Sequence, residues 1–223
     1  HPAAIHLYIH LTEASSSPRK AERFADRLAD LMPGAGHLVH MPSHTYYRIG
    51  RYTDSLQTNI KAVRADEDYF AQVQSEGLYR LGYYPHNVLF VLVSAVMAGD
   101  IDAALYHAAK LDEVLPIEFA SAQPWVQPIK AAPYFAYAKF ATPEDVMQLD
   151  DPGDQLPFIQ AIWHYARGEA SIASGDFEQA RMELSAIETL VNTADFSDMI
   201  KGNVPALDIL EIAVLSLKAR LSQ

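Results

Sequence analysis

His6 and His10 stand four residues apart, and so do His40 and His44. An i,i+4 spacing puts both rings of a pair on one face of one helical turn. The second pair follows the first by 34 residues, the period of a helix-turn-helix repeat. The four imidazoles are therefore expected at equivalent places on two stacked helices. His37 and His86 share another slot one turn earlier in their own repeats, and Glu13 lies one turn beyond His10. Imidazole is the commonest protein metal ligand. Seven of the nine histidines fall in the first 86 residues, and that concentration in register points to a metal site.

The chemistry asks for this pattern. Zn²⁺ takes about four nitrogen or oxygen ligands at ~2.0–2.2 Å, with one position left to water in a catalytic site. An i,i+4 histidine pair supplies two ligands from one rigid turn. Packed helices stand about 8–10 Å apart, so rings reaching inward from both could meet on one ion. His6, His10, His40 and His44 are the expected ligands. Glu13, His37 and His86 are the expected catalytic groups, as extra ligands or proton carriers. Zinc fits first, and copper, iron and nickel also suit imidazole. Tyr46, Tyr47, Tyr83, Asn87 and Glu76 are candidates to orient the ligands. A hydrogen-bonded polar groove without metal is the competing reading. His107 and His164 fall outside the pattern and are read as structural.

Positioning these rings requires helix pairs. Four units of 34 residues can be aligned, at about 2–35, 36–69, 85–118 and 161–194. Each carries a turn and then small or apolar residues at helical spacing. The clearest is the fourth, with Gly168, Gly175, Phe177 and Ala180; the third turns at Gly99-Asp100 before Ala104, Ala108 and Leu111. In the second, Ser55 and Asn59 replace the usual small and aromatic residues, and Glu67 replaces the closing proline. This pattern resembles the tetratricopeptide repeat (TPR) family over roughly 136 residues, the length of four such units. The resemblance implies an all-α, right-handed solenoid whose first helices line a concave face where ligands bind.

The period is interrupted by insertions at 70–84 and 119–160, the second rich in proline with an irregular helix expected around Pro133 to Phe140. A last amphipathic helix is expected over about 204–221, as a cap on a single repeat domain. Pro42 between His40 and His44 should kink the second helix or mark its start. The acidic run Asp66-Glu67-Asp68 reads as a solvated helix end. Because the chain opens on His1-Pro2, an upstream segment or a longer repeat protein is expected.

Composition narrows the partners. A net charge of −11 argues against nucleic acid and against anionic membrane surfaces. No unbroken run of 18 apolar residues occurs, so no transmembrane helix is expected. Cysteine is absent, which leaves any metal to nitrogen and oxygen donors and leaves the compartment open. Nucleotide-binding glycine loops, the Gly-x-Ser-x-Gly elbow and the His-Glu-x-x-His protease motif are all missing. The reading that follows is a metal-dependent enzyme, first a hydrolase acting through metal-activated water, on a small-molecule or peptide ligand in the groove. A peptide-binding scaffold, a copper-type oxidoreductase and a metal-storage protein are the alternatives.

Overall fold

The computed structural model describes residues 1–74 and 77–222. It is all-helical: 81% of the chain is helix, and no strand occurs among the described residues. Chain contacts divide it into two compact units, His1–Val114 and Leu115–Gln223.

In the first unit, α1 (Pro2–Glu13) packs on α2 (Glu22–Leu31), with a tight 3-10 turn at Pro18–Ala21 between them. Proline begins α1 and the tight turn, where its missing N–H costs nothing. The next rod has two segments, α3 (Gly36–His40) and α4 (Pro42–Arg48), and lies against α2 and α5 (Tyr52–Gln72). The break is the work of Pro42, which has no N–H to give, yet Met41 keeps helical angles of φ −50° and ψ −38°. A wide π-turn over Tyr79–Tyr83 leads into α6 (Tyr84–Ala98), which packs on α5 and on α7 (Ile101–Val114).

Small residues let these helices close up. Ala21 at the end of the 3-10 turn and Ala25 and Leu28 on α2 pack with Ile9, Met41 and Tyr46 in one core cluster. Each fully buried leucine or isoleucine adds roughly 1.5–3 kcal/mol. The α6–α7 turn uses Gly99 at φ +76° and then Asp100, whose side chain accepts from the Ala103 N–H at 3.0 Å. Glycine takes the left-handed angle without steric cost and the aspartate caps the next helix. By length and composition alone, the helical stretch Tyr79–Ala98 could cross a membrane. Within this unit Val88, Val91, Leu92 and Ala95 from that stretch are buried.

The second unit contains α8 (Ile117–Ala122), α9 (Gln127–Phe140), α10 (Pro143–Met147), α11 (Pro157–Ser174), α12 (Phe177–Thr193), α13 (Ser197–Lys201) and α14 (Ala206–Leu221). Here α11 is central and touches α9, α10, α12 and α14. Gly175 (φ +80°) and Asp176 repeat the Gly-Asp turn, Asp176 accepting from Gln179 N–H. Gly168 has a different purpose: a Cβ there would press on the Leu217 side chain at 2.9 Å, so α14 sits close because that atom is missing. Where an irregular helix was expected around Pro133, α9 runs from Gln127 with Pro133 in its interior.

Candidate metal centre

Six histidines of the first unit meet between α1, the α3–α4 rod and the start of α6. They form two sets of three, His6 with His10 and His37, and His40 with His44 and His86. Within each set one nitrogen from every ring lies within 4.8 Å of the other two. The i,i+4 pairs do share faces, but each is completed by a ring from another helix. His37 completes the α1 pair, and His86 completes the pair that spans the Pro42 break.

The inner set is the more buried. His40 is fully enclosed, and the His44 side chain is 11% exposed. His40 Nε2 lies 2.9 Å from His44 Nε2 and 3.1 Å from His86 Nε2. Phe90, one turn along α6 from His86, packs against all three rings at centroid distances of 4.7–4.9 Å.

The groups behind the rings decide which nitrogens face the centre as lone pairs. Asn59 Nδ2 donates to the Ser55 carbonyl at 2.8 Å, which turns its Oδ1 toward His40. An amide oxygen can only accept, so His40 Nδ1–H donates to it at 2.6 Å. On the other side His44 Nδ1–H donates to Glu13 Oε2 at 2.6 Å. In the neutral imidazole one nitrogen carries the proton and the other does not. Both Nδ1 atoms are committed as donors, so Nε2 of His40 and Nε2 of His44 present lone pairs to each other at 2.9 Å. With both rings neutral, such an approach is relieved by a proton or a metal cation shared between the two nitrogens.

Glu13 serves both sets. Its other oxygen, Oε1, lies 3.0 Å from His10 Nδ1, so one carboxylate orients one ligand from each group. Burial pushes its pKa up, but the hydrogen bonds from His44 and His10 outweigh this and bring it to about 2. Arg48 Nε donates to the Glu13 carbonyl at 2.9 Å and ties the end of α1 to α4.

The outer set is more open, with the His10 side chain 41% exposed. His37 Nε2 lies 3.3 Å from His6 Nε2, while His37 Nδ1 is buried without a hydrogen-bond partner. Tyr83 stands edge-on to the His37 ring at 4.8 Å. Burial, followed by the neighbouring imidazoles, lowers His37 and His86 to about 4 and His40 well below its ordinary value. At neutral pH these three rings are uncharged and their nitrogens are free to bind a cation.

Other candidates settle elsewhere. Asn87 donates to Asp66 at 2.7 Å, Tyr46 to Asp26 at 2.9 Å, and Tyr47 packs on Tyr52 and Phe90. Glu76 lies outside the described residues. Asp66 is a correction to the solvated acidic run: it is buried, holding Tyr79 at 2.6 Å as well as Asn87, because the chain after α5 folds back over it. Glu67 takes Tyr84 at 2.8 Å and also pairs with Lys110. His107 is bonded to the Ala103 carbonyl, and His164, in the second unit, to Glu183. A surface groove lined by Asp30, Lys61, Arg64 and Asp68 includes none of the histidines.

Asn59 and Ser55 are the functional residues that spacing did not single out. Their signal was present as departures from the small and aromatic residues usual at those repeat positions. A polar side chain at a core position needs a partner, and here the partner chain ends on His40.

No family model, curated protein or solved structure matches this chain. Its function has to be read from the chemistry of the centre.

Proposed function

We propose that the protein is a metal-dependent enzyme, a hydrolase in first place, whose histidine cluster binds a divalent transition ion, with zinc the first candidate. The observation that carries this reading is the approach of Nε2 of His40 to Nε2 of His44, with Nδ1 of each ring held outward by Asn59 and Glu13. Nitrogens bound to one ion at ~2.0–2.1 Å in tetrahedral or octahedral geometry lie about 2.9–3.4 Å apart. The 2.9 and 3.1 Å separations around His40 fall in that span. His40, His44 and His86 are the primary ligands in this reading. Glu13 is a positioning residue, since both of its oxygens are spent on imidazoles.

A bound divalent ion would supply Lewis acidity and lower the pKa of a coordinated water toward 7. Neutral imidazoles cancel none of the ion's charge, which favours that polarisation over a carboxylate-rich site. His10 and Tyr83 are solvent-exposed beside the cluster and mark the side from which a small-molecule or peptide ligand would approach. The helix pairs of the first unit are compatible with TPR-like repeats, and a solenoid with the histidines on its concave face is the architecture that goes with this reading.

A copper-type oxidoreductase is favoured by one observation: the grouped donor atoms are all imidazole nitrogens. Such a set binds Cu²⁺ more strongly than Zn²⁺ by the usual metal order. Elemental analysis of untagged protein, purified without added metal, tests the site and the ion together. Bound zinc, with at least one ion per chain lost in His44→Gln and needed for hydrolysis of activated esters, is the expected result. Copper with dioxygen consumption would replace the hydrolase reading. Absence of metal, with no effect of added zinc, would overturn the centre.

A further inference from the structure

We infer that the cluster holds two ions, one in each set of three histidines, and that the set of His6, His10 and His37 is the exchangeable, solvent-facing site. This rests on the reading of the cluster as a metal centre and adds a second ion to it.

Ligand reach is the first ground. Two nitrogens on one ion at ~2.1 Å can be no more than about 4.2 Å apart. Inside the sets, the nitrogen pairs that face each other are 2.9, 3.1 and 3.3 Å apart. Across the sets, no ring-to-ring hydrogen bond occurs among the described residues. The ligand atoms accordingly gather into two groups, each with its atoms within 4.8 Å of one another. One ion seated in either group would leave the three imidazoles of the other without one.

Glu13 is the second ground. One carboxylate receives His10 of the outer set and His44 of the inner set, each through Nδ1. Orientation through Nδ1 by a carboxylate is how ligating histidines are normally held. Its appearance on both sets treats His10 as a ligand in the same way as His44. Exposure divides the roles: the outer set opens to solvent at His10, whereas His40 in the inner set is fully enclosed. The outer ion can therefore meet a substrate and exchange, and the inner ion is retained.

Native mass spectrometry of the full chain titrated with Zn²⁺ counts the ions directly. The wild type should take two. His6→Gln/His10→Gln, at sites exposed enough to spare the fold, should take one, and so should His86→Gln. Circular dichroism melting is run on each variant, and Glu13→Asp provides a milder probe of both sites. Brief chelation should remove one of the two wild-type ions before the other, leaving the species that His6→Gln/His10→Gln forms. One ion in the wild type, kept in His6→Gln/His10→Gln, would overturn the second site and leave the metal centre standing. One ion lost in both variants would mean a single shared site and would also overturn the inference. No ion in the wild type would defeat the metal reading itself.

Discussion

At the residue scale, orientation matters as much as identity. His40 faces the centre through Nε2 only because Asn59 takes its Nδ1 proton, and Asn59 is itself held by the Ser55 carbonyl. Asn59→Leu keeps the volume and removes the acceptor. It should weaken zinc binding about 10–100-fold, the usual effect of losing such a partner, as read by competition with a chromophoric chelator. Glu13→Gln should weaken zinc binding by a similar factor, because the amide NH2 would face one of the two Nδ1 atoms that the carboxylate now holds. The histidines were legible from spacing, since i,i+4 pairs separated by one repeat leave little freedom. Their division into two sets was not, because it depends on how His86 and His37 reach in from other helices. Asp66 was misread as solvated because the fold-back that buries it is a tertiary event, invisible in a local acidic run.

At the element scale, close approach is set by missing side chains. Gly36 begins α3 one residue before His37, and a Cβ there would fall inside the Asp66 carboxylate. Asp66 is buried and bonded to Tyr79 and Asn87, so it has no free direction in which to move. Gly36→Ala should therefore cost about 1–3 kcal/mol, as overpacking does, measured by urea unfolding. Gly34 is a fitting control: a Cβ there meets nothing within 4 Å and its backbone is not left-handed. Gly34→Ala should be neutral or slightly stabilising. The helices were readable from turn residues such as Gly99-Asp100 and Gly175-Asp176, whose chemistry is local. Pro42 was readable as a break for the same reason. The full length of α9 was not, because Pro133 in its interior argues locally against the helix that packing on α11 sustains.

For the molecule as a whole, acid bears on both units, and the proposed metal would bear on the first. If the proposed centre binds zinc, the metal at a hundred times its Kd should add about 2.7 kcal/mol to the folded state. Hydrogen exchange should show the added protection in α1, α3, α4 and α6, which carry the ligands. Acid acts on the first unit through Glu13, His37 and His86, and on the second through Glu183, 4% exposed and bonded by His164 at 2.6 Å and Arg167 at 2.7 Å. Burial raises its pKa, but the bonds from His164, Gln179 and Arg167 outweigh this and hold it below the ordinary carboxylate value. The folded state thus binds fewer protons than the unfolded chain in that interval, and stability falls as pH drops from the ordinary value through the lowered one. Glu183→Gln should be less stable at pH 7 by about 2–3 kcal/mol and should lose part of this acid dependence in urea midpoints taken from pH 7 to 3. The placement of the ligands also orders events in time. A chain grows from its N-terminus, and His6, His10 and His37 leave the ribosome well before His86 does. The outer ion could then be captured by a half-made protein, with the inner one admitted only when α6 arrives to close over it.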